Sequence, residues 1–114
     1  MKTAIINSNS FEKHITGDGH PEQPKRILSI KKKLEIRNDL IWEKPENVPD
    51  DILELTHSSE YIENIKKSFP VNGLNFLDGD TVVSPGSKEA VFDAAGSVIR
   101  AINGIEKGEF KNAF

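Results

Sequence analysis

The sequence predicts an α/β fold built on a parallel sheet, and three observations lead there. Thr3-Ala4-Ile5-Ile6 is a short, continuously apolar run, the pattern of a strand covered on both faces. A polar loop rich in Gly and Pro separates it from a segment of helical period, Lys25 to Ile36, in the strand–loop–helix order of α/β units. A helical segment from Ala90 to Ile105 is apolar over more than half its circumference and calls for partners on more than one side.

Taken in order, the first strand covers Lys2 to Ile6, and Asn7 to Ser10 break it. The loop runs from His14 to Arg26, and its glycines and prolines forbid a continued helix or strand. In the helix that follows, Ile27, Ile30 and Leu34 recur at helical spacing, and Arg37-Asn38-Asp39 ends it. Pro24 fits its first turn, where the missing N–H would have no partner in any case. Leu40-Ile41-Trp42 is a second short strand, closed by Lys44-Pro45. Asp50 is expected to cap a short helix through Leu55.

Ser58 offers a cap for the next helix, which carries Tyr61, Ile62, Ile65 and Phe69. Tyr61 reads as core with its hydroxyl bonded, and His57, just ahead of the cap, as structural. Pro70 to Asp80 is a loop, in which Asp78 and Asp80 form a fragment of a calcium loop without its later ligands. Ser84 or Ser87 caps the long helix, and Ala94-Ala95-Gly96 lets another backbone come close. Gly108 stops that helix, after which Phe110 to Phe114 turns extended. Two short strands do not make a stable parallel sheet, so the expectation is the first part of a larger domain.

Composition narrows the function classes. At 114 residues the chain is at most one domain with a modest core; 36% hydrophobic and 29% charged residues still describe a globular protein. The absence of cysteine excludes disulfides and zinc–thiolate sites and suits a reducing compartment. No apolar run resembles a signal peptide or a membrane span, so a cytoplasmic setting is the expectation. A formal net charge of -3 argues against a nucleic-acid partner, and Lys31-Lys32-Lys33, fanned around a helix, reads as a solvated face.

The loop itself admits three readings. His14, Asp18 and His20 are residue types that ligate zinc and similar ions. They also suit a rim that faces substrate. On spacing alone the preferred reading is a rigid loop whose polar groups bond to backbone and cap the next helix.

Three segments together resemble the zinc-dependent deacetylase superfamily of histone deacetylases, acetoin-utilisation proteins and acetylpolyamine amidohydrolases. They are His14-x-x-Gly17-x-Gly19-His20-Pro21-Glu22-x-Pro24-x-Arg26, then Thr56-His57-Ser58-x-x-Tyr61-Ile62, then Asp78-x-Asp80-Thr81-x-x-Ser84-Pro85-x-Ser87-x-Glu89-Ala90, running on through Ala94-Ala95-Gly96 to Asn112-Ala113-Phe114. Their order and separation match over nearly the whole chain. The resemblance implies an arginase/deacetylase-like parallel sheet wrapped by helices, of which residues 1–114 would be a single partial, N-terminal domain. It implies hydrolysis of an acetylated amine, acetyl-lysine or an acetylpolyamine, on zinc, with histidines as base and acid and a tyrosine at the oxyanion. Carried over by position, His20, Pro21 and Glu22 belong to a wall of the substrate channel. Arg26 lines a cavity behind the metal, where acetate leaves. Asp80 and Thr81 belong to a rim loop. None of these is a zinc ligand in the family, which removes most of the metal reading from His14, Asp18 and His20.

The sequence departs from the family in one respect. After an Asn-Ala-Phe like Asn112-Ala113-Phe114, the family continues to a paired-histidine segment, an Asp-x-His, a second Asp and a catalytic tyrosine. This chain has three histidines, no two adjacent, and none of those segments. It is therefore expected to bind no zinc at the family site and to be inactive alone, with zinc expected in the full-length protein. Two alternatives stand beside that reading. One is a non-catalytic module that self-associates as a homo-oligomer, or docks a partner, through helix 90–105. The other is a small metal-binding protein using His14, Asp18, His20 and Glu22.

Overall fold

A computed structural model describes all residues from Met1 to Phe114. The apolar run folds as β1 (Thr3–Ile6), the middle strand of a three-stranded parallel sheet. β2 (Leu40–Glu43) lies on one side and β5 (Asn112–Ala113) on the other, in the order β2-β1-β5. Thr3 is opposite Leu40 in one pairing and Asn112 in the other. The third strand completes what two strands could not, and Ala4, Ile5 and Ile6 are buried by it and by the helices.

Between β1 and β2 come a 3-10 turn (Asn9–Lys13), the polar loop, and α1 (Pro24–Glu35), which starts on the proline as expected. Ser8 and Ser10 tie the 3-10 turn down: both hydroxyls donate to Oδ2 of Asp93, at 2.7 and 2.6 Å. Asp93 belongs to α4 (Ser87–Glu106), so this carboxylate joins the turn after β1 to the long helix. Before α4 lie α2 (Asp50–Leu53), α3 (Ser59–Ser68) and a short antiparallel hairpin, β3 (Asn75–Phe76) with β4 (Val82–Val83).

Four expectations need correction. The segment from Pro70 to Asp80 is not all loop, because Asn75–Phe76 pairs with Val82–Val83 and buries both valines. Asp50 lies inside its helix, whose flanking residue is Pro49, and its carboxylate meets Lys66 at 2.6 Å instead of a backbone amide. Gly86 occupies the cap position of α4 without a side-chain bond. Ser84 and Ser87 instead lock the turn ahead of it: the Ser84 amide donates to Ser87 Oγ (2.8 Å) and the Ser87 amide to the Ser84 carbonyl (3.0 Å). Last, α4 is covered along one side only. Ser87, Ala90, Gly96 and Gly104 are buried, while Val91, Val98, Ile102 and Ile105 form an exposed apolar stripe at helical spacing.

Two glycines of α4 set the packing. Gly96 lies so close to the chain after β2 that an added Cβ would meet the Glu46 carbonyl oxygen at 1.9 Å. This is the close backbone approach that Ala94-Ala95-Gly96 predicts. Gly104 faces the ring of Phe110, the most deeply buried large side chain. Gly108, at φ +70°, closes the helix as a left-handed stop; its amide reaches the Ile105 carbonyl and that of Glu109 reaches Gly104. The reversal turns Phe110 back under α4, where Arg100 stacks over its ring at 5.3 Å and pairs with Glu43 and Glu109.

Candidate functional site

The polar loop, α3, the hairpin and α4 enclose an open cleft of about 490 Å³. Its floor is apolar, with Ile62, Phe69, Val82, Val83 and Phe92 among the residues there; its mouth carries His20, Glu22, Asp80 and Thr81. Each wall has a local reason to be where it is. Ser58 Oγ accepts the Tyr61 amide at 3.1 Å, which starts α3 and aims Ile62, Ile65 and Phe69 inward. The loop is closed on itself by Thr16, whose buried hydroxyl donates to the Glu22 carbonyl. Gly17 (φ +99°) and Gly19 (φ +76°) take the left-handed turns that let it fold back.

His20 joins the loop to the hairpin. The Glu22 amide can only donate, so at 3.0 Å Nδ1 of His20 is the acceptor and carries no proton. The Asp80 carbonyl can only accept, so at 2.7 Å Nε2 is the donor. The ring is thus the neutral tautomer with hydrogen on Nε2. On the hairpin side, Asp78 Oδ1 accepts the amides of Asp80 (2.8 Å) and Thr81 (2.7 Å). Those two amides hold the Asp78 carboxyl below the usual carboxylate range. The calcium-loop fragment is therefore an Asx-type turn.

The sequence-predicted site residues divide between two cavities. His20, Glu22, Asp80 and Thr81 line the cleft, as does His14, whose Nδ1 lies 2.6 Å from Ser87 Oγ. Arg26 lines a second cavity of about 220 Å³ among Ile6, Phe11, Trp42 and Phe114, at the carboxyl ends of the three parallel strands. Arg26 connects the two: its guanidinium meets both Glu22 oxygens at 3.1 Å. Pro21 is exposed and lines neither.

Sequence reasoning missed His57 and Tyr61 as cleft residues. Tyr61 is 51% exposed instead of core, and its ring stacks on His57 with centroids 5.1 Å apart. The available signal was the i, i+4 placement of Tyr61 and Ile65, which puts both on the face turned to the cleft. Asp78 was also missed as the holder of the rim; its signal was an Asp directly ahead of a glycine, the pattern in which the carboxylate bonds the backbone two residues on.

The side chains do not suit a resident zinc. No three His, Asp or Glu side chains converge to hold an ion. Both His20 nitrogens, the His14 Nδ1 and the Glu22 carboxylate already have partners within the protein.

The histone deacetylase domain model matches residues 20–114, most of the chain. The chain belongs to the histone deacetylase family. It is 37% identical over 110 residues to an uncharacterized protein of Synechocystis sp., covering 90% of this chain and 34% of that protein. Histone deacetylase 5 of Arabidopsis thaliana is 28% identical over 124 residues, covering 99% of this chain and 19% of that one. Among solved structures, the HDA15 HD domain superposes with a TM-score of 0.87 at 21% identity, covering 99% of this chain and 34% of that chain. The chain thus spans about a third or less of the length of the relatives it matches. The likeness to the HDA15 HD domain establishes the fold: the α/β, deacetylase-like parallel sheet of the family, represented here in part.

Proposed function

We propose that this chain forms one wall of the substrate cleft of a deacetylase-family amidohydrolase, which removes acetyl groups from acetyl-lysine or an acetylpolyamine. The observation that carries the proposal is the meeting of two separate sequence segments, His20 to Glu22 and Asp80-Thr81, at the mouth of one apolar-floored cleft. An apolar floor takes the methylene chain of a lysine or polyamine and excludes water from it. Polar groups at the mouth receive the N–H donors on either side of that chain, and the Asp80 carboxylate is the charged acceptor available there. Arg26 serves the second cavity, where a guanidinium suits a small carboxylate product.

In the full-length protein the family's zinc would polarise the acetyl carbonyl, on ligands other than the residues of this cleft. The 114-residue chain alone is then inactive. A cytoplasmic setting agrees with a sequence free of cysteine, and no helix is long and apolar enough to cross a membrane. Nucleic acid is not among the proposed partners of a chain with formal charge -3.

The test is hydrolysis of an acetyl-lysine peptide and of an N-acetylated polyamine, with and without chelator. The full-length protein is expected to cleave one of them and to lose activity to the chelator; failure on both overturns the function. Chelator-sensitive turnover by the 114-residue chain overturns its inactivity. A second reading has its own observation: the exposed stripe Val91, Val98, Ile102 and Ile105 suits self-association of two copies. Sedimentation of the 114-residue chain as a monomer would count against it.

A further inference from the structure

We propose that His20 and Asp78 are positioning residues which together fix the backbone of Asp80 and so place its carboxylate at the cleft mouth. The proposal rests on the rim assignment of Asp80 made above. Three hydrogen bonds carry it. The peptide group before Asp80 is held through its N–H by Asp78 Oδ1, at 2.8 Å. The peptide group after Asp80 is held at both ends: its carbonyl accepts from His20 Nε2 (2.7 Å), and its N–H, that of Thr81, donates to Asp78 Oδ1 (2.7 Å). With both flanking peptide planes anchored, φ and ψ of Asp80 are set, and only side-chain rotation remains.

The Asp80 carboxylate itself takes no part in these bonds and is left open to a ligand at the mouth of the cleft. Exposed hairpin tips otherwise lack such anchoring, and an acceptor that wanders loses binding energy to ordering. The anchor on the His20 side is itself braced. Nδ1 takes the Glu22 amide, the Glu22 carbonyl takes the buried Thr16 hydroxyl, and the Glu22 carboxylate grips Arg26 at the start of α1. A hydrogen-bonded path therefore runs from α1 through one imidazole to the hairpin.

The neutral imidazole is specific to this role, because only the form with Nε2–H and a bare Nδ1 serves both partners. Glutamine can supply the donor to the Asp80 carbonyl, whereas alanine supplies nothing. The bonds at stake are ordinary ones, whose net contribution converts to roughly a three- to tenfold change in binding.

The experiment measures kcat and KM of the full-length protein on an acetyl-lysine peptide and an N-acetylated polyamine. The variants are His20→Ala, His20→Gln, Asp78→Ala and Asp80→Asn. His20→Ala and Asp78→Ala are each expected to raise KM roughly three- to tenfold while kcat stays within about twofold, and His20→Gln to restore KM to within about twofold of wild type. Nitrogen NMR of the imidazole in the same protein is expected to show hydrogen on Nε2. A higher KM in Asp80→Asn with no change in His20→Ala overturns the positioning role and leaves the rim reading standing. An unchanged KM in Asp80→Asn removes the rim reading and the positioning role with it. A glutamine variant no better than alanine, or hydrogen found on Nδ1, also overturns the role.

Discussion

Replacing Gly96 by alanine sets two physical effects against each other, and the structure says which one prevails. Helix propensity alone predicts a gain of about 1 kcal/mol for Gly→Ala inside a helix. Packing predicts the reverse. The new methyl would lie 1.9 Å from the Glu46 carbonyl oxygen and 3.1 Å from its carbon, both backbone atoms that no side-chain rotation can move. Reaching an ordinary contact of about 3.4 Å requires the two chains to separate by roughly 1.5 Å. That movement breaks the bond from the Glu46 amide to the Gly96 carbonyl (3.2 Å) and strains the one from Asn103 Nδ2 to Glu46 Oε2 (2.8 Å). Overpacking costs about 1–3 kcal/mol and a lost hydrogen bond about 1 kcal/mol more. After subtracting the propensity gain, Gly96→Ala is expected to destabilise by about 1–3 kcal/mol. Urea denaturation followed by circular dichroism measures it as a lower midpoint at unchanged slope. A variant as stable as wild type, or more stable, would refute the packing argument and leave propensity in charge.

Further predictions concern other joints of the fold. Asp93→Ala removes the acceptor of the Ser8 and Ser10 hydroxyls and should cost about 2–3 kcal/mol by the same denaturation assay, with hydrogen exchange rising first in residues 8–13. Asp78, whose folded carboxyl titrates below its unfolded value near 3.9, stabilises the hairpin tip above that pH, and the contribution is lost as pH falls through the lower folded value. The amide proton shifts of Asp80 and Thr81 should therefore move together on acidification, at a pH below the ordinary Asp range, and Asp78→Ala should abolish that movement. Val98→Lys combined with Ile102→Glu should leave the fold intact and shift any self-associated chain to monomer in sedimentation; association unchanged by the pair would remove the stripe from the interface.

Much of the fold was legible because its signals are local. The run Thr3 to Ile6 is continuously apolar, Pro24 marks the first turn of α1, Ser58 caps α3 and Gly108 stops α4, each within a few residues of what it controls. The hairpin was not legible, because two-residue strands give too short an alternation to distinguish from a loop. Tyr61 was misjudged for a different reason. Helical spacing tells that it shares a face with Ile65, but whether that face meets a packed neighbour or an open cleft is decided by tertiary structure. The site was legible in composition and not in connection. His20 and Asp80 stand sixty positions apart, and no spacing rule joins an imidazole to a distant backbone carbonyl. The expected burial of α4 on more than one side is not met, because period reports how apolar a helix is and says nothing about how many neighbours these 114 residues supply.

The strand order has a consequence for the cavity that holds Arg26. From β1 the chain departs toward β2 on one flank, and β5 later returns to the other, so the connections beyond the strand tips diverge to opposite sides. Divergence of that kind leaves a crevice by topology, whatever side chains line it. Trimming Trp42 or Phe11 should therefore widen the hollow without abolishing it, whereas its positive charge comes from two side chains, Arg26 and Lys31, each already paired with a carboxylate, Glu22 and Glu12. Shape there is inherited from the winding of the backbone; charge rests on two side chains and can be retuned by evolution one substitution at a time.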